Sequence, residues 1–176
     1  MEQIPPADVY IAVGSNIEPE KNIPEALERL KRHVRISAIS TFYRTAPMGR
    51  PGQPAFLNGV WHIETRRSAR ALKFEVLRRI EVELGRVRRE DKYAPRTIDL
   101  DIAVYCDAVI DEPDLQIPDP DIPHRPFIAL PLLELAPGLV LPDTGERLSS
   151  LISGETPSDL EPVHTFTQNL RARITL

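Results

Sequence analysis

Apolar and polar residues alternate along several stretches of the chain, which is the pattern of strands with one buried face. Short apolar or alternating runs occur at residues 8–13, 34–43, 56–65 and 97–104, and each predicts a strand. In the last run, Ile98 and its apolar neighbours alternate with polar residues that include two aspartates. The pattern therefore predicts four main strands.

Two stretches have the apolar spacing of amphipathic helices. Asn22 is predicted to cap a helix that runs to about residue 33, with Pro24 in its first turn. Ser68 is predicted to cap a second helix, which Gly85 ends. The order strand, helix, strand, strand, helix, strand predicts the ferredoxin-like split β-α-β plan, an α+β fold with an antiparallel sheet and helices packed on one face.

The pattern is weaker beyond residue 105. Residues 109–110 predict a short edge strand, and residues 127–136 predict a helix that Pro131 kinks or begins. No linker or internal repeat interrupts the chain, so one domain is expected over residues 1–176, with a weakly patterned C-terminal tail at about 154–176. The length of the chain also favours a free monomer.

Composition and charge narrow the class of ligand. The net charge is −4 and the isoelectric point about 5.6, which argues against nucleic acid as a partner. Basic residues cluster between Arg78 and Arg96, so a small phosphorylated ligand is expected instead. No apolar run approaches the roughly 18 residues of a membrane span. Cys106 is the single cysteine, which fits a cytoplasmic protein without intrachain disulfides.

Asp99 and Asp101 are predicted to point to the same side of their strand, with their Cα atoms about 7 Å apart. Carboxylates at this spacing repel each other unless a cation lies between them, and Mg²⁺ is usually held by one or two carboxylates plus substrate phosphates. The alternative is a solvated polar face of an edge strand. Aspartate is depleted in strands, and its repetition beside a basic loop favours the metal.

The basic loop that precedes these aspartates suggests phosphate binding. Guanidinium groups bind phosphate oxygens in bidentate fashion and stay charged. The alternative is a mobile, solvated loop, the usual fate of a charge run. With the two aspartates, the loop predicts a site for Mg²⁺ and a polyphosphate; its cations are Arg86, Arg88, Arg89, Lys92 and Arg96.

Phe56, Asn58 and Phe127 allow two interpretations. They are either core and turn residues or a sandwich for a planar heterocycle with an amide that reads its edge. The histidines show no zinc spacing. The chain has neither a G-x-x-x-x-G-K-[ST] nor a G-x-G-x-x-G motif, so those nucleotide loops are excluded.

Separated motifs in a specific order give the chain a family resemblance. They include Tyr10 to Asn16, Phe42 to Pro47, Gln53 to Asn58, Ala94 to Asp101, and Arg125 to Phe127. In these motifs the chain resembles the 6-hydroxymethyl-7,8-dihydropterin pyrophosphokinases of folate biosynthesis, from about residue 9 to residue 142. The resemblance implies an ATP-dependent enzyme that transfers pyrophosphate to a pterin alcohol and releases AMP.

The resemblance also implies roles for individual residues. Asp99 and Asp101 would hold two Mg²⁺ ions, and Arg86 and Arg96 would complete the catalytic set by contacting the phosphates. The ATP side would be lined by Glu81, Arg88, Lys92, Ile102 and Arg125. The pterin would stack between Phe56 and Phe127, and its edge would be read by Asn58 and by the backbone near Thr45 and Ala46. Loops 44–55 and 86–96 would close over the substrates.

Two departures from the family pattern affect these expectations. Asp119 follows Ile117 and Pro118 where the family often has a histidine, and an ionised carboxylate cannot donate a hydrogen bond to phosphate. Phe56 replaces a tyrosine found in some members. Asp119 keeps open a rival reading, a protein that binds ATP and pterin without turnover. An RNA-binding ferredoxin-like module fits poorly, because the protein is acidic.

Overall fold

The computed structural model describes residues 3–47, 52–152 and 156–175 of the chain. The strands of this part are, in chain order, β1 (Ala7–Ser15), β2 (Arg35–Ile39), β3 (Tyr43–Thr45), β4 (Phe56–Thr65), β5 (Asp99–Tyr105), β6 (Ile110–Glu112), β7 (Leu115–Ile117) and β8 (Glu161–Pro162). The helices are α1 (Pro19–Leu30), α2 (Ala69–Ala71), α3 (Arg78–Glu83), α4 (Pro126–Leu135), α5 (Leu148–Leu151) and α6 (His164–Ala172), with a π-helical stretch at Leu72–Leu77 and a 3₁₀ turn at Ile122–His124.

The larger sheet is antiparallel, and β4 at its centre pairs with β1 on one edge and with β2 and β3 on the other. Its order is β5-β1-β4-β3-β8, and β2 pairs beside β3 along the same edge of β4. With α1 after β1 and a helical segment before β5, this is the predicted ferredoxin-like plan. The strand predicted at 34–43 is divided, because residues 40–42 leave the sheet between β2 and β3.

The first helix begins earlier than predicted. Pro19 is its first residue, where the fixed φ of proline suits a helix start. Glu18 precedes it in the left-handed region at φ 42°. Asn22 is therefore not the cap; its side-chain amide donates to the carbonyl of Ile17 at 2.6 Å. Pro24 lies inside the helix rather than in its first turn.

The second helical segment has the predicted ends and an unexpected middle. The Ser68 hydroxyl accepts from the backbone N–H of Ala71 at 3.1 Å, and Gly85 follows the helix with φ 81°, which glycine adopts without strain. Between α2 and α3, the wider π-helical stretch occupies residues 72–77. Such stretches often occur at functional sites.

Helices pack on both faces of the sheet, which corrects the expectation of one covered face. Alternate residues of the strands point in opposite directions. Trp61 therefore joins the core beneath α1 and α3, whereas Val60 joins a second core with Ala129 and Leu132 of α4. The near-continuous apolar sequence of α4 fits its position over this second face.

The predicted tail is in fact partly structured. β8 adds a short strand beside β3, and α6 packs Leu170 into the first core. The expected edge strand at 109–110 begins at Ile110 and pairs with β7 in a separate hairpin. No helix in the described part of the chain is long and apolar enough to span a membrane. Part of the predicted lid loop, residues 48–51, lies outside the described residues.

Candidate active site

A cavity of about 580 Å³ lies over one end of the sheet. Gly14 of β1 pairs with Asn58 of β4 on one side and with Asp99 of β5 on the other, so the two side chains share one face of the sheet. A Cβ on Gly14 would come within 2.6 Å of the Asn58 side-chain oxygen. The glycine therefore lets a polar amide and a carboxylate line the same cavity floor.

Asp99 is fixed by two guanidinium groups. Its carboxylate accepts from Arg86 at 2.7 Å and from Arg96 at 2.5 Å. Burial alone would raise the pKa of Asp99, but the two arginines outweigh burial and hold that pKa below its ordinary value. The carboxylate is consequently ionised at neutral pH and placed to accept a cation.

Asp101 points into the same cavity, as the alternation along the strand predicted. It forms an ion pair with Lys73, whose ammonium nitrogen lies 3.5 Å from a carboxylate oxygen. The same oxygen accepts from the backbone N–H of Ile102 at 3.0 Å. Because Asp101 pairs with a single ammonium group, it is less constrained than Asp99.

Glu81 holds the arginines from beneath the cavity. Its side chain is 2% exposed and accepts from Arg78 and Arg88, both at 2.8 Å, and also from Arg86. The backbone N–H of Leu100 adds a fourth contact at 3.1 Å. A buried carboxylate with this many charged donors fixes the guanidinium positions before any ligand arrives.

The opposite end of the cavity is aromatic. Phe56 and Phe127 are half-buried and line it together with Thr45, Ala46 and Asn58. The Asn58 amide donates to the Thr45 hydroxyl at 2.7 Å, which fixes its orientation and leaves its carbonyl oxygen available as an acceptor. This end offers flat apolar surfaces and an amide edge.

Asn16 joins the two loops that border the cavity. Its amide nitrogen donates to the Gln53 side chain at 3.1 Å, and its oxygen accepts from the backbone N–H of Arg96 at 2.7 Å. Gln53 in turn donates to the carbonyl of Tyr93 at 2.8 Å. These contacts keep the two loops together across the cavity mouth.

Most of the predicted site residues line this one cavity. They are Thr45, Ala46, Phe56, Asn58, Arg86, Arg88, Lys92, Arg96, Asp99, Asp101, Arg125 and Phe127. Two residues expected to line the ATP side are not among the residues that line the cavity. Glu81 lies beneath the arginines, and the side chain of Ile102 lies in the core on the other face of the strand. Strand alternation explains the second correction, since Ile102 is next to Asp101.

Sequence reasoning missed Lys73 as a cavity residue. It lines the cavity although its side chain is only 12% exposed. Lys73 precedes Leu77 by four residues and Glu81 by eight, so helical spacing places it on a buried stripe, where a lysine is unusual unless its charge is paired. This spacing is the sequence feature from which Lys73 could have been predicted to lie at the site.

Asp119 also lines the cavity, so this departure from the family pattern faces the ligand space. Its carboxylate accepts from the backbone N–H of Asp121 at 2.9 Å. Burial raises the pKa of Asp119, and the carboxylates of Asp101 and Asp121 raise it further. Negative charge is therefore disfavoured at this position.

The donor set suits a magnesium ion that is shared with a substrate. Among residues 3–47, 52–152 and 156–175, no group of three or more His, Cys, Asp or Glu side chains could hold a metal ion. Asp99 and Asp101 together offer two carboxylates, and phosphate oxygens and water would supply the remaining ligands. Mg²⁺ is commonly bound in this way.

The fold and the cavity define an α+β protein of the ferredoxin-like class with a charged, phosphate-compatible site. The chain belongs to the 7,8-dihydro-6-hydroxymethylpterin-pyrophosphokinase (HPPK) family, whose model matches residues 10–137. This match confirms the family that the sequence motifs indicated, and with it an enzyme of the pyrophosphokinase class.

Individual relatives agree with the family assignment. A 2-amino-4-hydroxy-6-hydroxymethyldihydropteridine pyrophosphokinase of Pseudomonas aeruginosa is 40% identical over 148 residues, covering 82% of this chain and 90% of the relative. The enzyme of the same name from Haemophilus influenzae is 40% identical over 138 residues, covering 77% and 85%. A folic acid synthesis protein of Pneumocystis carinii is 39% identical over 160 residues, which are 90% of this chain and 21% of that protein.

A solved structure supports the fold. The crystal structure of HPPK-DHPS in complex with substrates superposes with a TM-score of 0.62 at 14% identity, over 84% of this chain and 43% of that one. At this identity the superposition confirms the ferredoxin-like architecture and nothing finer.

Proposed function

We propose that this protein transfers the terminal diphosphate of ATP to the hydroxymethyl group of 6-hydroxymethyl-7,8-dihydropterin, in folate biosynthesis. The observation that carries the proposal is a single cavity in which Asn58 and Asp99 flank Gly14. One side of that cavity suits a planar heterocycle, and the other suits a polyphosphate. Membership of the HPPK family supports the same pair of substrates.

The pterin would lie at the aromatic end. Phe56 and Phe127 offer stacking surfaces, and the Asn58 amide and the backbone at Thr45 and Ala46 would read the polar edge of the ring. This arrangement would hold the hydroxymethyl group toward Asp99 and Asp101. Positioning of this kind lowers the barrier by removing the entropic cost of bringing the reactants together.

The ATP phosphates would lie against the arginines. Arg86 and Arg96 are already oriented by Glu81 and Asp99, and Arg88, Lys92 and Arg125 add positive charge around the same space. Donors fixed in advance stabilise developing negative charge without reorganisation during the reaction. Residues 86–96 would close over both substrates.

Asp99 and Asp101 would hold two Mg²⁺ ions against the phosphates. Bound Mg²⁺ supplies charge neutralisation and lowers the pKa of a coordinated alcohol. The substrate oxygen forms a bond to the β-phosphorus of ATP. The bond from that phosphorus to the oxygen bridging the α- and β-phosphates breaks, and its electron pair leaves with AMP. The hydroxyl proton passes to solvent, so we assign no side chain as a dedicated base.

Separation of the nucleotides after incubation with Mg-ATP and the pterin tests the proposal. We expect AMP and pterin diphosphate in equal amounts, with the reaction dependent on Mg²⁺. ADP as the product would place the attack on the γ-phosphorus and overturn the proposal.

A second candidate is a binding protein without turnover, which the acidic Asp119 in the cavity favours. Calorimetry with ATP and the pterin distinguishes the two. Binding of both ligands with no AMP formed would support the second candidate.

A further inference from the structure

The sheet is interrupted next to the aromatic end of the cavity. Residues 40–42 separate β2 from β3, while β4 continues past both strands. The Phe42 ring fills the space over Gly59, where a Cβ would come within 2.5 Å of a ring carbon. This break between β2 and β3 leaves backbone groups of Thr41 and Phe42 without partners on β4. Backbone groups that are buried in this way require partners elsewhere.

Residues from distant parts of the chain supply those partners. The Phe42 N–H donates to the Thr167 hydroxyl at 2.9 Å, and the Phe42 carbonyl accepts from the Val163 N–H at 2.9 Å. The Thr41 N–H donates to the Glu134 carboxylate at 2.9 Å. Thr167 is 2% exposed, so its contact with Phe42 is shielded from water.

Val163 and Thr167 belong to a C-terminal segment, residues 161–172, which also contacts the backbone next to Phe42. Arg171 donates to the carbonyl of Ile39 at 3.0 Å and to Glu134 at 3.0 Å. The Phe166 ring meets the Phe42 ring edge-on, with 5.5 Å between centroids. β8 pairs with β3 on the edge opposite β4. The three-residue strand β3 is thus enclosed between the central sheet and the C-terminal segment.

β3 carries the cavity contact that this enclosure would control. Its last residue, Thr45, accepts the hydrogen bond from Asn58 at 2.7 Å, and both residues line the aromatic end. A displacement of β3 would change the orientation of the Asn58 amide. The charged end contains no residue of β3 and depends instead on Glu81.

We propose that the C-terminal segment, residues 161–172, positions the pterin end of the cavity through Phe42 and β3, with Thr167 as the main positioning residue. This inference rests on the proposed function, because it takes the aromatic end to be the pterin site. The segment lies beyond residues 10–137, which match the family model. A part of the chain outside that match would therefore have a role in substrate binding.

Replacement of the Thr167 hydroxyl tests the proposal. Thr167→Val keeps the shape of the side chain and leaves the Phe42 N–H unpaired, whereas Thr167→Ser keeps the hydroxyl. We expect Thr167→Val to raise the KM for the pterin about five- to tenfold and to leave the KM for ATP within about twofold. Hydrogen exchange of the amides at residues 42–45 should become faster in the same variant. Thr167→Ser should behave like the wild type in both measurements.

Thr175→Val is the matched control, because the exposed Thr175 hydroxyl donates to the carbonyl of Arg171 four residues earlier, as the Thr167 hydroxyl donates to the carbonyl of Val163. It should alter neither KM nor the exchange at residues 42–45. A Thr167→Val variant in which both KM values change equally, or in which melting falls while the pterin KM stays constant, would overturn the proposal. If Thr167→Val does not fold, Phe166→Leu takes its place, with the same expected split between the two KM values.

The exchange measurement separates this proposal from the proposed function. Unchanged exchange at residues 42–45 in Thr167→Val overturns the positioning role whether or not the protein turns over. Absence of pterin binding and of AMP in the wild type overturns the proposed function, and with it the assignment of the positioned end to a pterin.

Discussion

The charged and aromatic ends of the cavity differ in how firmly their side chains are held. At the charged end, Asp99 contacts two guanidinium groups within 2.7 Å, and Glu81 fixes one of them from below. At the aromatic end, Phe127 packs against the second core and Phe56 begins β4, and within the described part of the chain one side-chain hydrogen bond orients Asn58.

This difference corresponds to different physical tasks. Stabilising charge that develops during a reaction requires donors that are already in place, since their reorganisation would add to the barrier. Binding a planar ring requires flat surfaces and an edge partner, which tolerate small displacements. Substitutions at the charged end should therefore lower kcat, and substitutions at the aromatic end should raise the KM for the pterin.

The largest effect is expected at the charged end from Asp101→Asn. Removing one of the two proposed metal-binding carboxylates should lower kcat by about 10³-fold, because several kcal/mol of charge stabilisation are lost. The melting temperature should remain near that of the wild type, since Lys73 is the one charged partner of Asp101 among the described residues. Steady-state kinetics and thermal unfolding check both expectations.

Asp107→Asn is the control for this change. Asp107 is exposed just beyond the end of the same strand and does not line the cavity. Near-normal turnover in Asp101→Asn would remove the carboxylate pair from the mechanism.

Glu81→Gln should give the next largest effect, this time on stability. The change leaves three arginines without their buried counter-ion and should lower the free energy of unfolding by about 3 kcal/mol. The KM for ATP should also rise, because Arg88 loses its contact with Glu81 and Arg86 is then held by Asp99 without Glu81. Chemical denaturation measures the first effect and initial rates the second.

Glu83→Gln is the matched control, because Glu83 is an exposed acid on the same helix and pairs with Arg29 and Arg79. It should change neither quantity appreciably. Equal effects of the two substitutions would contradict the role given to Glu81.

Phe127→Leu should have a moderate effect confined to the aromatic end. Loss of one stacking surface should raise the KM for the pterin about tenfold, equivalent to roughly 1.4 kcal/mol, with kcat little changed. Phe74→Leu is the control, since Phe74 is exposed and does not line the cavity. A fall in kcat as large as the rise in KM would show that the two ends are not separable.

The smallest effect is expected from Asp119→Asn. The raised pKa of Asp119 means that its ionised form is disfavoured in the folded protein. The wild type therefore loses stability as pH rises from the ordinary value of 3.8 through the raised pKa. Asp119→Asn should melt at a higher temperature than the wild type at pH 7, and the difference should disappear below pH 3.8.

The same substitution should lower the KM for ATP a few-fold, because a carboxylate that repels phosphate is removed. Thermal melts between pH 3 and pH 7 and ATP saturation curves are the measurements. A larger stability gain at acid pH than at neutral pH would contradict the cause assigned to the shift.

The parts of the fold that follow from local patterns were predictable. The alternation over residues 56–65 matches β4 at both ends, and the Ser68 cap and the Gly85 end were both found. The alternation over residues 97–104 predicted that Asp99 and Asp101 share a face of the sheet. These features depend on neighbours in sequence, which a periodic pattern reports directly.

The features that were missed depend on distant partners. The break at residues 40–42 is stabilised by Glu134 and Thr167, which no local pattern connects to that strand. Helix α6 was overlooked although Val163, Phe166, Thr167 and Leu170 have helical spacing, because a polar sequence surrounds them. Lys73 was missed because its partner Asp101 lies on β5, which the spacing along a helix does not connect to it.

The central claim is that the charged end directs attack on the β-phosphorus of ATP by an alcohol held at the aromatic end. Phosphorus NMR of the wild-type reaction with Mg-ATP and 6-hydroxymethyl-7,8-dihydropterin tests it most directly. The account predicts one AMP signal and a pair of coupled signals from a diphosphate attached to the pterin. Formation of ADP with a single monophosphate signal on the pterin would contradict it.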